Sequence, residues 1–258
     1  MKSIDVQQEV SRIVAFIKKT FNQAGFSDAV IGLSGGIDSA VSFALAVQAL
    51  GVDHVYPILL PYGALSTKGV LDAMKVIEVS HIPLTHVVRI DIQQAVDAII
   101  RVDPMMDKVR KGNIMARTRM IHLFDQAKKR KALVVGTENK SEYLLGYYTR
   151  YGDEASDVEP IRHLYKTQVY ELAKHLHIPD EIIQKPPSAD LWPKQTDEGE
   201  FGFTYKDADE ILFLIFDQDK SEEYVLQIGK SHQQATTVLS RLKENNFKRL
   251  LPHNISML

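Results

Sequence analysis

Apolar residues along this chain follow two spacings, which predict helices and strands in turn. In the first 24 residues they recur every three or four positions, which predicts an amphipathic helix over residues 5–24 that ends at Gly25. Largely apolar runs predict strands at residues 29–31, 55–60, 85–90 and 132–135. Helical patterns lie between and after these runs, at residues 40–50, 66–80, 91–102, 113–127 with Asn113 as N-cap, and 138–146.

Strands alternate with helices from residue 28 to about 145, which is typical of an α/β fold. The order predicts a doubly wound parallel sheet, with helices on both faces and ligands bound beyond the carboxyl ends of the strands. Residues 158–161 indicate a short fifth strand, and the patterns after Lys166 are helical apart from a Pro-rich loop at 185–199. We expect one domain over residues 1–258, with an α/β core at about 25–165 and a mostly helical C-terminal extension at about 166–258.

The segment with the strongest chemical signature is Gly32-Leu33-Ser34-Gly35-Gly36-Ile37-Asp38-Ser39, between the first predicted strand and the next helix. Glycines let the backbone turn tightly and approach a ligand, and a helix N-terminus adds free N–H donors, so the segment suits a phosphate. Asp38 stands where a Walker A loop carries Lys. Because a carboxylate repels phosphate unless a cation lies between them, Asp38 indicates Mg²⁺. The alternative is an ordinary capped glycine turn.

Composition narrows the class of protein. The chain has 258 residues, 45% of them hydrophobic, which is enough for a substantial core, and a formal net charge of −2 gives no overall indication of nucleic acid or an anionic membrane. No apolar run approaches the roughly 18 residues of a membrane helix, and the N-terminus lacks a signal-peptide core, so we expect a cytoplasmic enzyme. The absence of cysteine excludes disulfides, thiolate metal sites, and persulfide or thioester intermediates on this chain.

Four motifs together resemble one family. Residues 34–39 resemble the pyrophosphatase loop of the N-type ATP pyrophosphatases, which leaves open the synthetases of GMP, asparagine, argininosuccinate and NAD, and tRNA-modifying enzymes. Three further segments are similar to NAD synthetase signatures: 111–120, 136–142 running on to 151–153 and Asp157, and 185–191 followed by Gln195 and Asp197-Glu198. They cover most of residues 10–250 in the family's order, so the chain resembles the ammonia-dependent NAD synthetases, whose fold is Rossmann-like (adenine nucleotide alpha hydrolase-like).

The resemblance implies a ligase of NAD biosynthesis. In that family the nicotinate carboxylate of deamido-NAD attacks the α-phosphate of ATP, pyrophosphate leaves, and ammonia displaces AMP from the adenylate. The resemblance also implies Mg²⁺ as cofactor, ATP as co-substrate and a homodimer with deamido-NAD near the subunit interface. Neither nucleic acid nor membrane is an expected partner.

The matched motifs imply roles for individual residues. Asp38 and Glu142 match the carboxylates on the metal, and Asp38 and Lys166 are the expected catalytic residues. The expected ATP-binding residues are Gly32, Leu33, Ser34, Gly35, Gly36, Ile37, Asp38, Ser39, Thr137, Lys166 and Ser188. The expected contacts to deamido-NAD are Arg117, Arg150, Asp157 and Lys248. Taken singly, Glu142 and Lys166 would be interpreted as solvated surface residues, and Thr137 as a helix N-cap.

Two positions depart from the family pattern. Arg150 stands where the family often has Lys, which keeps the charge but replaces a point charge with a planar fork. Near the C-terminus the family commonly has His-Lys, whereas this chain has Phe247-Lys248, so only Lys248 is expected to contact substrate.

The nitrogen donor follows from the same comparison. Glutamine-fed relatives carry an amidase domain with a Cys nucleophile, and residues 1–24 leave no room for one, so free ammonia is the expected donor unless a separate subunit supplies it. A tRNA-thiolating or lysidine-type enzyme is disfavoured, because thiolation needs cysteines and a tRNA partner favours a basic chain. A non-catalytic adenine-nucleotide sensor is the alternative from another class, and it would not need both Asp38 and Glu142.

Overall fold

A parallel sheet organises the part of the chain that the computed structural model describes, which is residues 4–228, 232–250 and 255. Over those residues the strands are β1 (Asp28–Gly32), β2 (Val55–Leu59), β3 (Val88–Arg89) and β4 (Ala132–Val135), in the order β3-β2-β1-β4. Ile31 on β1 lies opposite Pro57 on β2 and Val135 on β4. Because the chain runs outward from β1 to β3 and then returns to the other side of β1, the connections diverge between β1 and β4, where α/β sheets bind ligands.

Helices cover both faces of this sheet, which confirms the doubly wound α/β prediction. They are α1 (Val6–Ala24), α2 (Ile37–Leu50), α3 (Thr67–Val79), α4 (Gln93–Ile100), α5 (Lys108–Arg130), α6 (Lys140–Leu145), α7 (Lys166–His175), α8 (Asp180–Ile183), α9 (Asp197–Phe201), α10 (Tyr205–Phe216), α11 (Glu222–Ile228) and α12 (His232–Asn245). Successive residues of β1 point to opposite faces: Ile31 packs into the core with α1, α2 and α7, and Val30 packs into the core with α4 and α5.

A third hydrophobic cluster holds the C-terminal helices to the core. Its buried side chains include Leu145 on α6, Tyr165 before α7, Leu212 on α10 and Val238 on α12. Over the described residues, no helix is both long and apolar enough to cross a membrane.

Three local predictions are wrong in detail. Asn113 lies inside α5, whose N-cap is Asp107; the Asp107 carboxylate accepts the N–H of Arg110. Residues Leu84–His86 form a 3₁₀ turn after Pro83, so only Val88–Arg89 of the third apolar run pair with β2. The fifth run makes a single parallel bridge, from Val158 to Val135; proline at 160 has no N–H to extend it.

Candidate functional site

A cavity of about 430 Å³ opens at the carboxyl ends of β1, β2 and β4. It lies at the point where the connections diverge, and the glycine loop that follows β1 forms one wall. Most of the residues expected to bind ATP line it, namely Gly32, Leu33, Ser34, Gly36, Ile37, Asp38, Ser39, Thr137, Lys166 and Ser188, and so do Glu142 and Lys248. The tertiary structure thus brings together residues from segments far apart in the chain.

Hydrogen bonds within the glycine loop hold it open toward the cavity. Ser39 donates its hydroxyl to the Gly36 carbonyl, with 2.9 Å between the oxygens, and the Gly36 N–H donates to the Ser34 hydroxyl at 3.2 Å. The two serine hydroxyls are 3.1 Å apart. Gly36 is the N-cap of α2, so the free N–H groups and the positive end of that helix face the cavity. This arrangement suits a phosphate group.

Gly35 is the one residue of the octamer that does not line the cavity, because it packs beneath the loop. Its φ of +79° is in the left-handed region, and a Cβ there would lie 2.3 Å from the carbonyl oxygen of Gly69 on α3. Both constraints require glycine. The close approach of the loop to α3 therefore explains why residue 35 is glycine, without any contact to a ligand.

Lys166 lies between the two carboxylates that the sequence predicts to hold metal. Its Nζ is 2.5 Å from Asp38 Oδ2 and 3.0 Å from Glu142 Oε1, and its side chain is only 2% exposed. Burial lowers the pKa of the Lys166 ammonium, but the charges of Asp38 and Glu142 more than offset this, so its pKa lies well above the ordinary value. Lys166 is therefore a buried, charged partner of both acids and not a solvated surface residue.

Glu142 is held in place by the start of α6. The Asn139 side chain caps this helix by accepting the N–H of Glu142, and the Glu142 carboxylate reaches back toward the N–H of Asn139. Burial raises the pKa of Glu142, the Asp38 charge raises it further, and Lys166 opposes both. The N-cap here is Asn139 and not Thr137, which leaves the Thr137 side chain on the cavity wall.

Asn139 also has a role at the site that the sequence interpretation missed. Its Nδ2 donates to Asp38 Oδ1 at 2.8 Å. One amide side chain therefore contacts the carboxylate of Asp38 and the backbone N–H of Glu142. The signal was available, because Asn139 stands inside the motif at 136–142.

Asp197 is a second functional candidate that was not assigned a role. It is buried, and its carboxylate accepts hydrogen bonds from the hydroxyls of Tyr147 and Tyr205, each at 3.0 Å. The negative charge of Asp197, like those of Asp38 and Glu142, raises the pKa of Lys166. Asp197 begins α9, so the loop predicted at 185–199 ends before it, and Asp197 links that segment to the centre of the site.

The donor set is consistent with a magnesium ion. Asp38 and Glu142 provide carboxylate oxygens within 3.0 Å of one common nitrogen. Over the described residues there is no group of three or more His, Cys, Asp or Glu side chains arranged to hold a metal. Mg²⁺ commonly binds through one or two carboxylates and completes its shell with water and substrate phosphates. Two carboxylates beside the glycine loop match that pattern.

The residues expected to contact deamido-NAD are more dispersed. Lys248 lines the cavity and donates to the carbonyl oxygens of Gly146 and Tyr148 at 2.7 and 2.9 Å. Arg117 is exposed and donates to the Arg150 carbonyl, and the Arg150 guanidinium donates to the Leu250 carbonyl. The Asp157 carboxylate accepts the N–H of Val134 on β4. Arg117, Arg150 and Asp157 do not line the cavity, and their substrate roles stay predictions.

A pair of buried acids lies behind the loop that follows β4. Arg162 is 2.7 Å from Glu138 and 3.2 Å from Glu159. Burial raises the pKa of Glu138 to about 9 and that of Glu159 to about 7, although Arg162 opposes both shifts.

Comparisons with known proteins agree on one family. The family model described as NAD synthase matches residues 9–252. An NH(3)-dependent NAD(+) synthetase of Chlorobium phaeobacteroides is 42% identical over 257 residues, which are 98% of this chain and 91% of that protein.

Two solved structures match almost the whole chain. An NMN synthetase from Francisella tularensis has a TM-score of 0.85 and 32% identity, over 98% of this chain and 99% of the other. An NH3-dependent NAD synthetase from Campylobacter jejuni, in complex with the nitrate ion, has a TM-score of 0.82 and 31% identity, over 98% of this chain and 100% of the other.

Proposed function

The chain belongs to the NAD synthase family, and we propose that it catalyses the ATP-dependent amidation of deamido-NAD with ammonia, giving NAD, AMP and diphosphate. The observation that carries this proposal is the contact of Lys166 with both Asp38 and Glu142 beside the glycine loop. That group of charges suits a triphosphate whose α–β bond is broken. Ammonia is the proposed nitrogen donor because the relatives named above include NH3-dependent enzymes.

The glycine loop would hold the triphosphate through its main-chain N–H groups and the N-terminus of α2. Lys166 would add a positive charge at the same wall of the cavity, and Thr137 and Ser188 would add hydroxyl groups. Fixed donors that face the developing charge stabilise the transition state without reorganisation at the moment of reaction. In this arrangement the protein orients the phosphates and the weak carboxylate nucleophile attacks in line.

We assign Asp38 and Glu142 as ligands of Mg²⁺, with the Asn139 side chain donating to the Asp38 carboxylate and accepting the backbone N–H of Glu142. When bound, the ion would screen the phosphate charge and stabilise the departing diphosphate. Apolar side chains line other parts of the cavity, including Leu60, Met120, Leu123 and Trp192. They would limit the access of water to the adenylate, which water would otherwise hydrolyse.

We further propose that the protein is a cytoplasmic homodimer in which Arg117, Arg150, Asp157 and Lys248 bind deamido-NAD, and that core and extension act as one domain. Exposed apolar residues lie close to Arg117 along the chain. Val102 and Met105, between α4 and α5, are 85% and 89% exposed, and Val109 and Ile121 on α5 are more than half exposed. An exposed apolar surface of this kind is typical of a protein interface. Arg117, on the same helix, would then reach a substrate that lies near the partner subunit.

A second candidate substrate comes from the Francisella tularensis structure, whose name is NMN synthetase. An enzyme of that kind would amidate nicotinate mononucleotide, which has the same reacting carboxylate but lacks the adenylate half. Because the reacting groups are the same, the charges around Asp38 serve either acid. The choice would depend on contacts with the distal part of the substrate.

The test is incubation of the purified protein with ATP, Mg²⁺, ammonium and either acid, with AMP, diphosphate and amide measured together. We expect AMP and NAD in equal amounts from deamido-NAD, and no product when glutamine replaces ammonium. Preferential turnover of the mononucleotide would favour the second candidate, and release of ADP with orthophosphate would contradict both.

The same assay tests the metal assignment. Asp38→Asn should lower turnover by about 10²–10³-fold, because it weakens the electrostatic stabilisation of the transition state. Asp28→Asn, at the start of β1, is a control that should retain turnover. Near-normal AMP production by Asp38→Asn would remove the assignment.

A further inference from the structure

The Lys166 ammonium lies in the space that a shared metal ion would need. Its nitrogen is 2.5 Å from Asp38 Oδ2 and 3.0 Å from Glu142 Oε1. Mg²⁺ binds oxygen ligands at about 2.0–2.1 Å. An ion coordinated by the same two oxygens would therefore overlap the ammonium group. Two cations cannot share this position, so one must leave when the other enters.

We propose that Lys166 is a built-in competitor of the metal, which must leave the two carboxylates before a divalent ion can bind both. This inference rests on the proposed function, since it takes Asp38 and Glu142 as the metal ligands. The triphosphate gives the displaced ammonium a new anionic partner. Metal and nucleotide should consequently favour each other's binding, and the protein without nucleotide should hold the metal weakly.

The side chain of Lys166 can make this move although its backbone is fixed. Lys166 is the first residue of α7, and its backbone N–H donates to the Ser141 hydroxyl at 2.8 Å. The side chain itself borders the cavity that the glycine loop also lines. A lysine has a flexible four-carbon stem, so its ammonium can change partners without movement of the helix.

A reason for the competition follows from the burial of the site. Glu142 and Asp38 are mostly enclosed, with side chains that are 16% and 17% exposed. Buried charges without a partner are strongly unfavourable. Lys166 neutralises the acids when no metal is bound, and it keeps them in position for the metal that enters with the nucleotide.

The first test measures Mn²⁺ binding to nucleotide-free protein by electron paramagnetic resonance, at one mildly alkaline pH. Lys166→Met should bind Mn²⁺ at least about tenfold more tightly than the wild type, which is about 1.4 kcal/mol. Lys185→Met is the matched control: Lys185 lines the same cavity, is also mostly buried, and pairs with Asp72 and Asp190. It removes the same charge but should change the affinity by less than about threefold.

Equal tightening in both lysine variants would overturn the proposal, because it would show only an effect of net charge. Unchanged affinity in Lys166→Met would overturn it as well. Retention of the Mn²⁺ site in Asp38→Asn would overturn the metal assignment and the competition together. Failure of the amidation assay with the expected Mn²⁺ results would overturn the proposed function alone.

A second measurement uses the wild-type protein, so it does not depend on the folding of a variant. Acetylation of Lys166 by a soluble reagent is quantified by peptide mass spectrometry with and without saturating Mn²⁺. Lys166 is almost fully buried and should react slowly alone; its acetylation should rise several-fold with Mn²⁺, relative to Lys185. Equal acetylation of Lys166 with and without Mn²⁺ would contradict the displacement of its ammonium by the metal.

Discussion

Individual residues of the glycine loop are explained by different physical requirements. Gly36 and Ser34 face the cavity, whereas Gly35 allows the loop to pack on the backbone of α3. Asp38 has three contacts: it accepts a hydrogen bond from Asn139, pairs with Lys166 and borders the cavity. The octamer is therefore partly a wall of the cavity and partly a packing element.

At this scale we predict that Gly35→Ala is more disruptive than Gly25→Ala. Both glycines have a left-handed φ, +79° and +75°, but only at Gly35 would a Cβ meet backbone, because nothing lies within 4 Å at Gly25. Gly25→Ala should cost about 1–2 kcal/mol of unfolding free energy, from backbone strain alone. Gly35→Ala should cost more and should also weaken ATP binding. Urea unfolding measures the free energy of unfolding, and nucleotide titration measures the affinity for ATP. Equal losses of unfolding free energy in the two variants would contradict the role of the Gly69 carbonyl.

At the scale of elements, the segment between β4 and α7 organises the site. It contributes Thr137, Asn139 and Glu142 to the cavity side, while Glu138 and Glu159 pair with Arg162 behind it. Leu164 accepts the N–H of Lys140 at its carbonyl, which ties the start of α6 to the approach to α7. The position of Lys166 relative to Glu142 is thus determined by one compact segment.

The buried acid of this segment predicts a pH dependence of stability. The pKa of Glu138 is about 9 in the folded protein, against 4.5 for an ordinary Glu. Between these values the folded state keeps a proton that the unfolded state has lost, so the contribution to stability is present below 4.5 and is lost as the pH rises through 9. Unfolding free energies of the wild type should therefore fall with rising pH relative to Glu138→Gln, by up to about 1.4 kcal/mol per pH unit.

Urea unfolding at a series of pH values provides the measurement. Glu78→Gln, on the exposed side of α3, is the control and should parallel the wild type. If the curve of Glu138→Gln also ran parallel to the wild type, Glu138 would have an ordinary pKa in the folded protein.

At the scale of the whole molecule, two features meet around α5. One side of this helix packs on β1 and β4, and its other residues include exposed Val109, Arg117 and Ile121. The proposed dimer would bury this exposed side and bring Arg117 and Arg150 toward a partner. Assembly and substrate binding would then depend on the same surface.

We predict that Val102→Asp combined with Met105→Asp converts the proposed dimer into a monomer and raises the KM for deamido-NAD. A charge in an apolar interface loses its hydration without gaining a partner, so association becomes unfavourable. Light scattering after gel filtration gives the mass. Leu71→Asp combined with Leu84→Asp changes two exposed leucines elsewhere and should remain dimeric. A dimer that survives in the first variant, or a monomeric wild type, would contradict this interface.

The sequence by itself determined the fold class, the position of the glycine loop between a strand and a helix, and the family to which its motifs belong. These features depend on residues close together in the chain, whose spacing reports buried strands, helix faces and tight turns. Two of its local errors share a cause: the third and fifth runs have strand composition, but a turn after Pro83 and the proline at 160 limit their pairing. Asn113 resembles a cap by residue type, but Asp107 starts the helix earlier.

Only the tertiary structure decided which side chains meet. Lys166 and Asp38 are 128 positions apart, and neither spacing nor composition indicates that the ammonium pairs with that carboxylate and with Glu142. The same holds for Asp197, which two tyrosines orient toward the site. The physical reason is that contacts between distant segments depend on how the sheet, α6 and α7 pack together, and a pattern of neighbouring residues carries no measure of that packing.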